Sequence, residues 1–238
     1  MALQDHFHPP LSAWRHWHSF HNGWAYNLAD DLNKRLPQGW FAEPNVQFGI
    51  EIDVATMEER SRAEGLDSNG SQSLNEYVPP MPVKTIPIDT ITEVAEVAIY
   101  DSTAGPVLAG AIELVSPSNK DRLVSGEAFV SKCVTYLRQG LGLVIIDIVT
   151  NRTGNLHAKL MARLGETPHI SSELYTVSYH PVEIENQPKL DIWEEPLVIG
   201  QLLPTMPLWL RGGLCFPIDL DASYQRTCQG QRIITNGY

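Results

Sequence analysis

Two carboxylates and one lysine raise a chemical question in this sequence. Glu113 lies in the run VLAGAIELV at 107–115, where a period of two places Val107, Ala109, Ala111 and Val115 on its face of a strand. A carboxylate among small and apolar neighbours loses hydration unless a cation, a metal or hydrogen bonds compensate. Perturbed carboxylates of that kind are candidate site residues. The plain alternative is a strand-end Glu that pairs with a nearby Lys or faces water. Asp53 shares the polar side of its alternating segment with Glu51, and taken alone it reads as a solvated surface residue. Asp101 sits where a turn is expected. Asp147 interrupts the apolar run LVIIDIV, as a buried carboxylate or as an acceptor for amides of the next loop. Lys132 comes three residues after Phe129 and four before Tyr136, so it borders a helical apolar stripe. From there it either reaches a carboxylate cluster or snorkels to solvent. Lys120, in the loop after Glu113, is the rival base.

Other chemistries find less support. His6, His8, His16, His18 and His21 crowd the N-terminus. His18 and His21 are three apart on a helix and could share a metal, but no acidic third ligand is fixed beside them, and they read as core-edge residues of an aromatic helix. No glycine-rich phosphate loop, G-x-S-x-G elbow or H-E-x-x-H motif is present. Cys133, Cys215 and Cys228 are odd in number and far apart, which argues against a disulfide framework or a Cys-based zinc site. Lys and Arg total 17 against 28 Asp and Glu, a formal charge of −11, which opposes non-specific nucleic-acid binding. No run approaches the roughly 20 apolar residues of a membrane span. The N-terminus lacks the basic and apolar regions of a signal peptide, so a soluble, cytoplasmic protein is expected.

The elements that must position these residues are partly legible. With 43% hydrophobic residues in a chain of 238, a packed core is expected and wholesale disorder is excluded. Leu11, Trp14, Trp17, Phe20, Trp24, Leu28 and Leu32 recur at steps of three and four. They predict one long amphipathic helix over about 12–36, with its indoles as core anchors. Val46 to Val54 alternates as a strand. From Met57 to Pro82 the chain turns polar and aperiodic, a loop insertion. Order returns at Val83. Ile91–Tyr100 and Val107–Val115, joined by a turn at Asp101–Pro106, predict a hairpin. A helix from Ser125, its expected N-cap, to Gln139 precedes a strand at Leu143–Val149 that reads as buried on both faces. Strands are expected at Leu174–His180 and Leu190–Trp193. Pro196–Pro217 is too proline-rich for a helix and is expected to drape across the sheet. A short helix is expected at Asp219–Cys228. No linker divides the chain. The expectation is a single α+β (α/β) domain over 1–238, with a core at about 12–150 and a β-rich C-terminal extension at about 151–238.

The stretch AIELVSPSNK…GEAFVSKCVTYLRQGLGLVIIDIV, together with WRHWHSFHNGW, IEIDVAT and LLPTMPLWL…PIDLDASY, resembles an uncharacterised bacterial family known only as a domain of unknown function, number four-zero-five-eight. The same core is similar to the restriction-endonuclease-like PD-(D/E)xK proteins, in which a helix, a three-stranded meander, a helix and a further strand follow in that order. The resemblance implies divalent-metal-dependent phosphodiester hydrolysis, with Mg²⁺ as cofactor and nucleic acid as substrate. Asp53 in IEIDVAT matches the metal-binding Asp and Glu113 in AIELVS the second acid. The lysine usual two positions after that acid is Val115 here, and Lys132 on the following helix matches the lysine that replaces it in such relatives. The alternative is a nuclease scaffold kept as an inactive binding or assembly module.

Overall fold

The apolar stripe that begins at Leu11 is helical, but not continuously. A computed structural model of the protein describes residues 2–48, 50–58, 77–88 and 107–233. A one-turn helix, α1 (Leu11–Trp14), is separated from α2 (Trp17–Asn33) by Arg15 and His16, both extended. The extended pair interrupts the hydrogen-bond ladder, and His16 O starts a new one by accepting from Ser19 and Phe20. The helix expected over 12–36 is therefore two. The break also separates the indoles: Trp24 is fully buried and Trp14 is exposed.

The strand expected over 46–54 is likewise two strands meeting. β1 (Trp40–Phe48) and β2 (Ile50–Glu58) pair antiparallel from Trp40↔Glu58 to Phe48↔Ile50. Alternation of residue types carries across such a reversal, so the pattern concealed it. Met57 and Glu58 of the expected polar loop belong to β2, and 59–76 lies outside the described residues. Then come β3 (Lys84–Pro87) and β4 (Val107–Leu114). The partner strand expected at 91–100 and the turn with Asp101 lie outside the described residues. α3 (Pro117–Asp121) and α4 (Leu123–Arg138) follow, with Arg122 rather than Ser125 at the N-cap of α4. β5 (Gly142–Asp147) is buried along its whole length, as its apolar run required. α5 (Leu156–Arg163) was not expected; its two turns are too short for a clear period. β6 (Tyr175–Ile184) and β7 (Gln187–Pro196) form a hairpin. β8 (Thr205–Trp209) and β9 (Cys215–Asp219) form a separate ribbon within the proline-rich stretch. α6 (Leu220–Gly230) closes the described chain, capped by the Asp219 side chain on the Ala222 amide.

The result is a mixed α+β fold. Its main sheet has seven strands in the order β1-β2-β4-β5-β6-β7-β3. Of the described pairings only β4 with β5 is parallel. A parallel pair needs a crossover, and α3 and α4 supply it. The C-terminal strands β6 and β7 continue this same sheet beside β5.

The pleat sorts the two faces. Glu113, Ile145 and Tyr179 point toward α4 and α5, where Phe129, Cys133, Leu137 and Leu160 are buried. Gly110 and Gly142 point the other way, against the β8–β9 ribbon. A Cβ on Gly142 would stand 1.9 Å from Trp209 O, so only glycine admits this approach. The ribbon shares its layer with α2 and α6. There Phe20, Trp24 and Tyr224 interlock, with ring centroids 5.3–5.8 Å apart, and Trp24 Nε1 donates to Ser223 Oγ. Among the described residues no helix is long and apolar enough to cross a membrane.

Candidate functional site

β2 and β4 bring the two candidate acids together. Their register pairs Val54 with Ile112 and Ala55 with Ala111, so one further step sets Asp53 opposite Glu113. Residues directly opposite on neighbouring strands share a face, and two like charges so placed repel. Sixty positions apart in the chain, both side chains line one pocket of about 240 Å³. Asp53 is buried there, at 8% exposure, rather than solvated as its polar surroundings in the sequence suggested. Alternation identified its face correctly, but the sequence does not reveal what covers that face.

Each acid is held by a different device. Asp53 Oδ2 accepts the Leu114 amide at 2.7 Å, and Asp53 Oδ1 lies 3.2 Å from His21 Nε2. Glu113 Oε2 accepts from Lys132 Nζ at 2.7 Å, while Glu113 Oε1 is buried without a hydrogen-bond partner among the described residues. Lys132 does not snorkel. Its stem borders the α4 stripe, and its ammonium lies 5.4 Å from the Phe129 ring centroid. Lys120, the rival, forms a fully buried pair with Asp147 at 2.7 Å and does not line the pocket. Asp147 also accepts the Val149 amide, the role its strand-end position suggested.

Burial is the largest influence on Glu113, and the charge of Asp53 adds to it. Together they push the pKa up to about 8 against the pull of Lys132. Burial alone would lower Lys132, but the Glu113 charge and hydrogen bond more than offset it, so the ammonium is held above its ordinary value. His21 behaves likewise. Burial acts downward, and the hydrogen bond and charge of Asp53 win, so the imidazole titrates above its ordinary value.

His21 is the member of the site that the sequence did not reveal. The absence of an acidic partner beside it in the chain pointed to a core-edge role. The partner comes instead from β2, because the first turns of α2 reach the end of β4, where His21 also contacts Leu114 O. The one legible signal was its place on the helix, next to core residue Phe20. His18, Asn22, Ser116, Ser118 and Asn119 complete the pocket wall. Ser116 caps α3, its amide donating to Asn119 Oδ1 at 2.8 Å.

Among the described residues no three His, Cys, Asp or Glu side chains are arranged to hold a metal ion. The groups lining the pocket include the Asp53 and Glu113 carboxylates, the His18 and His21 imidazoles and the polar side chains of Asn22, Ser116, Ser118 and Asn119. The arrangement can bind a hard cation through oxygen, and it can hold a proton on Glu113 beside a permanent positive charge. Compared with known protein families, curated proteins and solved structures, the chain matches none. The functional reading therefore rests on the geometry of this pocket.

Proposed function

We propose that the chain is a cytoplasmic, divalent-metal-dependent phosphodiester hydrolase of the restriction-endonuclease-like kind, acting on nucleic acid with Asp53, Glu113 and Lys132. The observation that carries this reading is the convergence of those three side chains in one pocket, with two acids opposed across adjacent strands. The placement of elements adds support: after α2, strands β1, β2 and β4 lie side by side and antiparallel, and α4 leads to β5 alongside β4, as the PD-(D/E)xK resemblance implies, while β3, between β2 and β4 in the chain, departs from that order and pairs with β7.

The donor set fits Mg²⁺. Its two carboxylates supply the oxygen ligands that such an ion takes, and Glu113 Oε1 is buried with no hydrogen-bond partner among the described residues. Asp53 and Glu113 would hold the ion. Such a cation, when bound, lowers the pKa of water and neutralises charge developing on phosphate. The protein's own groups do the rest. The Leu114 amide fixes the Asp53 carboxylate. Lys132 keeps a positive charge at Nζ beside Glu113 and draws that acid toward its ionised form. Ser116, Ser118, Asn119 and Asn22 offer neutral hydrogen bonds along the wall, suited to phosphate oxygens.

A second reading, a binding or assembly module on the same scaffold, is favoured by the −11 charge and by buried Val115 at the position of the usual lysine. One experiment separates the two. Purified protein is incubated with Mg²⁺ or Mn²⁺ and with single- and double-stranded DNA and RNA. Cleavage that disappears in a folded Asp53→Ala variant supports hydrolysis. Substrates left intact with either cation favour the module.

A further inference from the structure

One nitrogen in the pocket serves two oxygens. His21 Nε2 lies 3.2 Å from Asp53 Oδ1 and also 3.2 Å from Leu114 O. A carboxylate and a backbone carbonyl can only accept, so Nε2 carries the hydrogen. Both contacts exceed the roughly 2.9–3.0 Å of an unshared N–H···O bond, as a divided donor would leave them. The same pocket contains Glu113 Oε1, buried with no hydrogen-bond partner among the described residues, on a residue only 1% exposed. A single imidazole N–H thus occupies the meeting point of two acceptors.

Resting on the metal-site reading above, we propose that His21 is a displaceable stand-in for the cation. Its Nε2–H fills the point where the Asp53 carboxylate and the Leu114 carbonyl converge, and a cation enters only as the ring withdraws. In the cation-free protein the ring N–H meets the Asp53 carboxylate, which preserves the Asp53 geometry. The ring lines the pocket wall with His18 and Asn22, with the Trp17 ring edge-on at 5.6 Å. His21 is thus a positioning residue that acts through Asp53 and sets how tightly the site takes its ion.

Calorimetric titration of the full chain with Mn²⁺ alone tests this, using wild type, His21→Ala, His21→Gln and Asp53→Asn. A hydrogen bond to a carboxylate must be broken for the ion to enter, so His21→Ala should bind Mn²⁺ about tenfold more tightly than wild type. His21→Gln, which restores a side-chain N–H, should return toward the wild-type affinity. Asp53→Asn should abolish binding. Wild-type binding that is unchanged or weakened by His21→Ala overturns the stand-in role and leaves the metal site standing. Lack of Mn²⁺ binding by both wild type and His21→Ala overturns the metal site itself, and the stand-in with it. A second measurement needs no variant. In ¹⁵N spectra of wild type, diamagnetic Mg²⁺ should shift the His21 ring nitrogens while leaving those of His6 in place. A His21 signal unmoved at saturating Mg²⁺ also overturns the proposal.

Discussion

Replacing Glu113 by Gln should remove a pH dependence of folding that the wild type carries between about pH 5 and pH 8. Burial, reinforced by the Asp53 charge across the strand pair, raises Glu113 from 4.5 to about 8. Between those values the folded protein keeps a proton that the unfolded chain has released. The unfolded state then binds fewer protons than the native state, so stability falls as pH rises. The contribution is fully present below the unfolded value and is lost through the folded one. In mid-window the slope approaches about 1.4 kcal/mol per pH unit, so moving from pH 5.5 to 7.5 should cost about 3 kcal/mol. Gln cannot titrate. Its weaker bond to Lys132 shifts the variant's stability by an amount nearly constant with pH. His21 is present in both proteins and largely cancels in the difference. Urea unfolding at fixed ionic strength, repeated from pH 5 to 8, yields wild-type minus variant stability directly. That difference should fall by about 3 kcal/mol across the window. A flat difference would refute the reasoning, because Lys132 would then be holding Glu113 ionised throughout.

Three further outcomes are expected. Lys132→Met removes the cation that draws Glu113 toward its ionised form, so it should cost about 1 kcal/mol more at pH 9, where the wild-type acid has ionised beside Lys132, than at pH 6, where that acid is protonated; equal losses at both pH values in urea unfolding would contradict the pairing. Gly142→Ala forces a methyl toward Trp209 O and should cost about 3 kcal/mol, with the β8–β9 ribbon losing amide protection first; a loss below about 1 kcal/mol would mean that the ribbon does not sit against β5. His6, buried against Phe20 and bonded to Tyr224 Oη at 2.7 Å, is lowered by burial to about 4 despite the nearby charge of Asp5. Its stability contribution is therefore present above about pH 6.5 and lost as pH falls through 4, up to about 3 kcal/mol; the hydrogen-exchange protection factors of the Leu3 and Gly200 amides should fall in that range, and His6→Gln should abolish the fall.

Local patterns were read where a single element dictated them. The LVIIDIV run announced a strand buried on both faces, and β5 is one. The Phe129, Cys133 and Leu137 spacing announced α4, and Asp219 announced the start of α6. Patterns failed where they continued across a change of direction. Apolar steps of three and four run through the break at Arg15 and His16, and alternation from Val46 to Val54 runs through the reversal between β1 and β2. Periodicity records which face a residue takes within an element, and two elements in succession can keep the same phase.

From its own residues, the chain determined that Glu113 would sit among apolar neighbours and that Lys132 would stand at the edge of a helix stripe. These are consequences of side-chain period, which needs no knowledge of distant partners. Only the tertiary structure decided that Asp53 is buried, that it faces Glu113, and that His21 completes the pocket from the opposite layer. Those facts depend on the strand order β2-β4 and on where α2 meets the end of β4. Both arise from the balance of burial over the whole core, and no local spacing encodes them.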